Sequence, residues 1–271
     1  MATVQLELES RPESVTLVRS MLAGLGEYLE LDPELMDDLK TAISEACNNV
    51  VLHAYPEATG PLVVSMTITE DDFAVSVRDE GVGIQRVSSA VNRMGVGLAV
   101  ISALARRAEF LSEPGEGTEV KMSFGNDGVG ARAELAARGG IESVARPAQL
   151  RGEVLVTVGP SDLLLQVMGR LVRAVAAGYH FSVDRFGGLH RLTSAISAHA
   201  VEADDGGEVS FSIAGESRQL ELQVGPLPGG STVGLFGEQM PASLDGLIER
   251  IDSVALPGGE VLEVVVVDRR S

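Results

Sequence analysis

The sequence predicts an α+β fold, a two-layer α/β sandwich of helices on a sheet, present twice in tandem. Short runs that alternate between apolar and polar residues, typical of half-buried strands, occur among longer segments whose apolar residues recur at helical spacing. The order of these segments in residues 1–126 is repeated in residues 150–271. Residues 127–149 are rich in glycine and alanine and are predicted to form a linker.

The elements of the first half follow from local patterns. Residues 3–9 alternate as a strand does, and the helix after them has Pro12 in its first turn, where proline is well tolerated. Asp32, a capping residue followed by proline, predicts the start of a second helix that ends at Tyr55. The other elements predicted in this half are strands 62–69 and 72–79 joined by a tight turn at 70–71, a helix at 96–105, and strands 108–112 and 118–124.

The second half has the same order of elements. A register that aligns Leu39 with Leu189 also aligns Ser44 with Ser194, which favours an internal duplication. The alternative is that any α/β chain gives such an order. The predicted elements are strand 153–158, helices 160–177 and 184–202, strands 208–213 and 218–224, helix 243–255 and strand 260–268.

Composition limits the classes of function. The net charge of −18 disfavours nucleic acid and anionic membranes as partners, because both repel an acidic chain, and it favours a protein partner. Cys47, the single cysteine, has no partner for an internal disulfide, and the N-terminal residues lack the basic and apolar pattern of a signal peptide. No apolar run is long enough to span a bilayer. We therefore expect a cytoplasmic protein.

A carboxylate and an amide share one face of the second predicted helix. Glu45 and Asn49 are four residues apart and therefore project from the same side, one turn apart. A carboxylate can deprotonate an attacking hydroxyl or water, and an amide oxygen can bind Mg²⁺ held against phosphates. The alternative is that the two residues belong to the solvated face of the helix.

Two glycine-containing motifs follow further along the chain. Asp79 ends a strand and is followed by Gly81 and Gly83. Such an acid can accept a hydrogen bond from the amine of a base, and glycines let the backbone approach a planar ring, although a plain turn is the alternative. Gly95 and Gly97 open the next predicted helix, whose free N–H groups favour phosphate. A dinucleotide-binding turn is excluded there, because the third glycine of that pattern is missing.

The order and spacing of the motifs are more specific than any one of them. In chain order they are Ser44-Glu45-Ala46-Cys47-Asn48-Asn49 with His53-Ala54-Tyr55, then Asp79-Glu80-Gly81-Val82-Gly83, then Gly95-Val96-Gly97-Leu98, then Gly115 to Thr118. In this combination, residues 3–124 resemble the histidine-kinase-like ATPases, which have the Bergerat fold. More narrowly, they are similar to the anti-sigma-factor serine kinases of bacterial stress-response and sporulation switches. The resemblance implies that the chain binds ATP and Mg²⁺.

The resemblance also implies a role for each motif residue. Residues 84–94 would form an ATP lid with Arg86 and Arg93 as phosphate contacts, although each arginine is alternatively a solvated surface residue. The implied roles are Glu45 as catalytic base, Asn49 as the ligand of Mg²⁺, Asp79 and Thr118 at the adenine, Gly81 and Gly83 where the adenine side closes, and Gly95, Val96, Gly97 and Leu98 beside the phosphates.

The function implied by the resemblance is that of a regulator of bacterial transcription. Catalytic members of the family transfer the γ-phosphoryl group of ATP to a serine of a small anti-anti-sigma protein of the STAS type, and they also bind a sigma factor. The first alternative is a non-catalytic protein whose partner binding is gated by ATP. The second is the ATPase part of a histidine kinase system, which the absence of a phospho-accepting helical hairpin before the motifs disfavours.

The second half departs from the motifs. Its histidines lack the spacing of a metal site. We therefore expect residues 150–271 to be a degenerate copy without a nucleotide site, packed on the first half as an intramolecular pseudo-dimer, with a homodimer as the alternative. In the register given above, Ala195 replaces Glu45 and His199 replaces Asn49, and a register that aligns Val77 with Val224 puts Pro226 in the place of Asp79.

Overall fold

The structure of the protein is a computed structural model with two compact units, residues 1–142 and 143–271. The predicted turn at 70–71, the predicted linker, Arg86 and the side chain of Arg93 lie outside the residues that the structure describes. Those residues are 1–69, 72–83, 91–125, 150–203, 207–230, 235, 244–256 and 259–269, without the side chains of 91–95.

The first unit consists of helices packed on one antiparallel sheet. Its elements are β1 (Ala2–Glu9), α1 (Pro12–Leu29), α2 (Pro33–Asn49), a π-helical turn (Val50–Ala54), β2 (Pro61–Ile68), β3 (Asp72–Asp79), α3 (Val91–Leu104), β4 (Arg107–Ser112) and β5 (Thr118–Gly125). The strands lie in the order β4-β5-β3-β2-β1, and each described pair is antiparallel. Helices α1 and α2 contact each other and the sheet, and α3 contacts α2. The unit therefore has the predicted α+β fold.

Helix α2 carries two of the predicted site residues and begins as predicted. The Asp32 side chain accepts a hydrogen bond from the backbone N–H of Glu34 at 2.8 Å, which caps the helix. Leu39 and Ile43 are buried on its inner face, and burial of each such side chain contributes about 1.5–3 kcal/mol. This burial fixes the rotation of α2 and leaves Asn49 partly exposed at the C-terminal end of the helix.

Helix α3 begins at Val91, earlier than the predicted start at residue 96. Gly95 and Gly97 therefore lie inside the helix, and the prediction that their N–H groups are free at its opening is wrong. A glycine inside a helix costs only about 1 kcal/mol relative to alanine, and no proline interrupts this segment. The packing of α3 against α2, which buries Ile101, offsets that cost.

The second unit is also an antiparallel sheet with two long helices. Its elements are β6 (Val154–Gly159), a 3₁₀ turn (Ser161–Leu163), α4 (Leu164–Gly178), a 3₁₀ turn (Val183–Arg185), α5 (Phe186–Ala203), β7 (Val209–Glu216), β8 (Gln219–Leu227), β9 (Ile248–Leu256) and β10 (Gly259–Val267). The strands lie in the order β9-β10-β8-β7-β6. Among the described helices of both units, none is both long and apolar enough to cross a membrane.

The predicted helix 243–255 is wrong, because this segment contains strand β9. Ile248, Ile251 and Val254 recur every third residue, a spacing that resembles a helical period. In the structure, β9 is the outermost described strand of its sheet and exposes most of its residues. Its conformation is set by antiparallel pairing with β10, which local sequence periodicity does not report.

The two units share one order of strands when β6 is matched with β1 and the later strands follow in sequence. The register that aligns Leu39 with Leu189 also matches the burial of the two helices. Leu39, Ala46 and their counterparts Leu189 and Ile196 are all buried. The helices α2 and α5 therefore bury equivalent faces.

An additional residue in β8 corrects one predicted equivalence. In the first unit Asp79 pairs with Thr118, whereas in the second unit Leu227 pairs with Glu260 across a register shift. A bulge places two residues of one strand opposite one of its partner, which moves the following residues by one position. When Glu260 is matched with Thr118, the strand position of Asp79 is taken by Leu227, one residue after the predicted counterpart Pro226.

Candidate functional site

A cavity open to solvent lies in the first unit and is bounded by α2, the π-helical turn, α3 and the ends of strands β3 and β5. Predicted site residues on its wall are Asn49, Asp79, Gly83, Leu98 and Thr118. The remaining wall residues are Ala46, Val50, His53, Ala54, Val77 and Val120. The structure thus brings together residues from four of the predicted motifs.

Asp79 supplies a buried carboxylate to the cavity. It is the last residue of β3 and is only 5% exposed. Its Oδ1 atom accepts a hydrogen bond from the backbone N–H of Gly81 at 2.8 Å. Burial raises the pKa of Asp79, and hydrogen bonds from the N–H groups of Gly81 and Thr118 partly oppose this rise. The side chain is therefore a strong hydrogen-bond acceptor on an otherwise largely apolar wall.

Gly81 and Gly83 shape the loop that follows Asp79. A Cβ atom at Gly81 would lie 2.2 Å from the carbonyl oxygen of Ala54, so a larger residue would push the loop away from the π-helical turn. Gly83 has φ +71°, a left-handed conformation that favours glycine, and a Cβ atom there would lie 2.5 Å from the carbonyl oxygen of Glu113. Gly83 lines the cavity, whereas Gly81 is not on its wall and instead allows the loop to pack against Ala54 of the π-helical turn.

Glu45 and Asn49 converge on α3 at Gly97. A Cβ atom at Gly97 would lie 3.0 Å from Oε2 of Glu45 and 3.4 Å from Nδ2 of Asn49. The Nδ2 atom of Asn49 is buried and has no hydrogen-bond partner among the described residues. Asn49 is on the cavity wall, but Glu45 is not. Gly97 is therefore the point of close approach that keeps the carboxylate and the amide side by side.

The pair of oxygen-bearing side chains fits a magnesium ion. Mg²⁺ prefers oxygen ligands and usually keeps several waters, so one or two protein ligands are enough. Glu45 and Asn49 offer a carboxylate and an amide, and the orphaned amide nitrogen of Asn49 also fits an acceptor such as a phosphate oxygen. Among the described residues there is no cluster of three or more histidine, cysteine, aspartate or glutamate side chains that would hold a more fully coordinated metal.

The predicted site residues Val96 and Gly97 are not among the described residues of the cavity wall. Gly95 is part of the α3 backbone, and the Val96 side chain is 64% exposed. Conversely, His53 lines the cavity without having been predicted as a site residue. The sequence contained a signal for it, because His53 follows Asn49 at the same four-residue spacing that relates Asn49 to Glu45.

Thr118 lies at the strand end of the cavity, between β3 and β4. Its backbone pairs with Asp79 on one side and with Ser112 on the other. Its hydroxyl oxygen lies 3.1 Å from the hydroxyl oxygen of Ser112. Val77 and Val120, which are paired across β3 and β5, form an apolar part of the wall beside it. The described cavity wall thus combines apolar side chains with a carboxylate, a hydroxyl, the Asn49 amide and the His53 imidazole.

Comparison with known proteins identifies the family of this chain. Over 130 residues the chain is 30% identical to the anti-sigma F factor of Caldanaerobacter subterraneus subsp. tengcongensis, covering 91% of that protein and 44% of this chain. Residues 8–124 match the histidine kinase-like ATPase domain. The chain belongs to the histidine kinase-like ATPase family. Every residue of the cavity wall lies within the matched range.

Two further relatives of this histidine kinase-like ATPase are also named anti-sigma F factor. The anti-sigma F factor of Clostridium acetobutylicum is 29% identical over 129 residues, which cover 90% of that protein and 44% of this chain. That of Pasteuria penetrans is 30% identical over 131 residues, which cover 87% of it and 44% of this chain. Membership of an ATPase family implies an ATP-binding site, and the cavity of the first unit is the candidate for it.

Proposed function

We propose that the first unit binds ATP in this cavity and that the protein is a serine kinase of the anti-sigma-factor type. In this proposal it phosphorylates an anti-anti-sigma protein of the STAS type, sequesters a sigma factor, or does both, and it acts in the cytoplasm. The observation that carries the proposal is the buried Asp79 carboxylate, which shares one cavity with Asn49 and with a strand-end hydroxyl. The anti-sigma F factor relatives support the regulatory part.

The apolar wall and Asp79 account for recognition of adenine. Val77, Val120 and Leu98 offer apolar surface for a flat ring. A carboxylate accepts hydrogen bonds and cannot donate them when ionised, so Asp79 selects a base that presents an amine. The Thr118 hydroxyl, which both donates and accepts, adds a second polar contact at the same end of the cavity.

The amide and carboxylate beside Gly97 account for phosphoryl transfer. Asn49 would hold Mg²⁺, which neutralises charge on the phosphate groups when bound. Glu45 would accept the proton of the partner's serine hydroxyl as that oxygen forms a bond to the γ-phosphorus. The bond from the γ-phosphorus to the bridging oxygen breaks, and ADP leaves with the electron pair. Leu98, and Gly95 and Val96 through the α3 backbone, would border the phosphate side.

The position of Glu45 is the observation that favours a second candidate function. Glu45 lies beside Asn49 but outside the cavity wall, which is compatible with a site that binds nucleotide without catalysis. In that alternative, ATP gates the binding of a protein partner and no phosphoryl group is transferred. The family's ATP site is common to both functions, and only the fate of the γ-phosphoryl group separates them.

Incubation with labelled ATP tests the two functions directly. The full-length protein is incubated with γ-labelled ATP, Mg²⁺ and candidate STAS-type proteins, and the partner is analysed for labelled serine. Labelled serine supports the kinase. A complex that forms only with ATP and carries no label supports the gated binder. Absence of ATP binding by calorimetry would reject both.

We also propose that the second unit is a degenerate copy of the first without a nucleotide site. The shared strand order and the matching burial of α2 and α5 support duplication. Leu227, a buried apolar residue, takes the position of the adenine-reading carboxylate, and the helix positions of Glu45 and Asn49 hold Ala195 and His199. Calorimetry should therefore give one ATP per chain, whereas two sites per chain would reject the degeneracy.

A further inference from the structure

The loop that carries Asp79 is tied to the residues that follow α2. The backbone N–H of Val82 donates to the carbonyl oxygen of Ala54 at 2.9 Å. The backbone N–H of Glu80 donates to the hydroxyl oxygen of Tyr55 at 2.8 Å. The peptide unit directly after Asp79 is therefore held by a side chain, and that side chain is not on the cavity wall.

Tyr55 bridges this loop and the start of β2. Its hydroxyl donates to the carbonyl oxygen of Pro61 at 2.8 Å, which leaves its lone pairs to accept from Glu80. The ring lies against Gly60, where a Cβ atom would be 2.2 Å from Cε1 of Tyr55. One hydroxyl thus links the first residue of β2 to the residue that follows β3.

The π-helical turn determines the position of Tyr55. Residues Val50–Ala54 continue α2 with the wider π-helical repeat, and Tyr55 follows in a non-helical conformation with φ −129° and ψ 84°. Single π-helical turns in α-helices are frequent at functional sites. Here the turn places His53 on the cavity wall and Tyr55 behind the loop.

We propose that Tyr55 is a positioning residue for base recognition, which holds the Glu80 N–H and thereby fixes the Asp79 carboxylate in the cavity. This inference rests on the proposed nucleotide site and adds to it a residue that acts through Asp79 without contact to the nucleotide. Removal of the hydroxyl leaves Asp79 on β3 but releases the backbone that follows it. The acceptor then loses its fixed direction toward the base.

The Tyr55→Phe variant of the full-length protein tests this role. Phenylalanine keeps the ring against Gly60 and removes both hydrogen bonds of the hydroxyl. We expect the Kd for Mg-ATP to rise about tenfold, the effect of losing one well-placed hydrogen bond. The Kd for GTP should change less than about twofold, because guanine presents an acceptor where adenine presents its amine. Calorimetry with both nucleotides gives the ratio, and a melting curve reports the fold.

A matched control exists in the second unit. The hydroxyl of Tyr179 donates to Oε1 of Glu153 at 2.6 Å, so Tyr179→Phe removes a comparable hydrogen bond far from Asp79 in sequence. It should leave both dissociation constants unchanged. If Tyr55→Phe binds ATP as the wild type does, or weakens ATP and GTP equally, the positioning role is rejected while the site stands. If the wild type binds neither nucleotide, the proposed function is rejected as well.

Discussion

The Asp79→Asn substitution exchanges one carboxylate oxygen for an amide in a side chain that is 5% exposed and bonded to the Gly81 N–H at 2.8 Å. The amide oxygen can still accept from Gly81, but the NH₂ group then faces the amine of the base or the N–H of Thr118. Two donors face each other in either case. A buried donor without an acceptor costs about 1–3 kcal/mol, which is about a 5- to 150-fold rise in the Kd for ATP.

The same substitution should change folding much less than binding. Burial raises the pKa of Asp79, so the ionised group is less favourable in the folded protein than in the unfolded chain. Replacement by a neutral amide removes that penalty and offsets part of the lost hydrogen bonding. We expect the free energy of unfolding to change by less than about 1 kcal/mol, which corresponds to a shift in Tm of less than about 2–4 °C.

The raised pKa of Asp79 also predicts how the affinity for ATP depends on pH. Because the pKa of Asp79 in the folded protein lies above its ordinary value of 3.8, the carboxylate protonates at a higher pH than an exposed aspartate does. A protonated Asp79 has lost acceptor capacity, so ATP affinity should fall as the pH decreases through that raised pKa. The asparagine variant should lack this step.

Calorimetry of ATP binding with and without the substitution is the assay, and Asp72→Asn is the matched control. Asp72 lies at the other end of β3, and its Oδ1 atom accepts a hydrogen bond from the Ser123 hydroxyl at 2.7 Å. The control variant should bind ATP as the wild type does. Unchanged ATP affinity in Asp79→Asn would refute the assignment of this cavity to adenine.

Three further predictions concern catalysis, stability and assembly. Glu45→Ala should retain ATP but lose phosphoryl transfer in the labelled-serine assay, whereas Asn49→Ala should weaken the Mg²⁺ dependence of binding; full transfer by the Glu45 variant would place the base elsewhere. In the second unit, Asp268 accepts from the Ser182 N–H at 2.6 Å and pairs with Arg218 at 2.7 Å. Burial acts to raise the pKa of Asp268, but the interactions with Ser182, Arg218 and Arg185 outweigh burial and lower that pKa. The stabilisation that Asp268 contributes is therefore present above its unfolded pKa of 3.8 and is lost as the pH falls through its lower pKa in the folded protein. Asp268→Asn should therefore cost about 1–3 kcal/mol at pH 7 by denaturant unfolding, with a smaller difference from wild type in strong acid; an equal difference at both pH values would contradict the charge effect. We also propose that the units form an intramolecular pseudo-dimer, so the full-length chain should be monomeric while residues 1–126 alone dimerise or aggregate in light scattering; two independent monomeric halves would reject this.

The sequence predicted the parts of the site that depend on local rules. The cap at Asp32 and the apolar face through Leu39 set the rotation of α2, so the relation between Glu45 and Asn49 follows from helical spacing. Asp79 is predicted as a site residue because it is an acid at the end of a strand followed by Gly81 and Gly83, and the structure has it at the end of β3. Each of these features is determined within a few residues of the chain, and each is present in the structure.

The features that the sequence did not predict depend on contacts distant in the chain. The start of α3 was misplaced because Gly97 resembles a helix opening, whereas its close approach to Glu45 across the helix pair gives another reason for a glycine. Strand β9 was read as a helix because its pairing with β10 overrides a three-residue spacing. The β8 bulge appears only in the register of two strands, so Leu227 was not recognised as the counterpart of Asp79.

The proposed degenerate copy also predicts a difference in stability at one buried position. Buried positions such as Leu189 and Ile196 keep apolar residues at the places of Leu39 and Ala46. At the place of Asp79, by contrast, Leu227 replaces a buried carboxylate with a buried apolar side chain. A buried ionised group is costly without a ligand that uses it, so in the proposed degenerate copy this exchange increases stability. On this argument Leu227→Asp should destabilise the second unit, whereas Asp79→Leu should abolish ATP binding and leave the first unit folded. Melting curves of the two variants decide the point, and equal stability in both would contradict it.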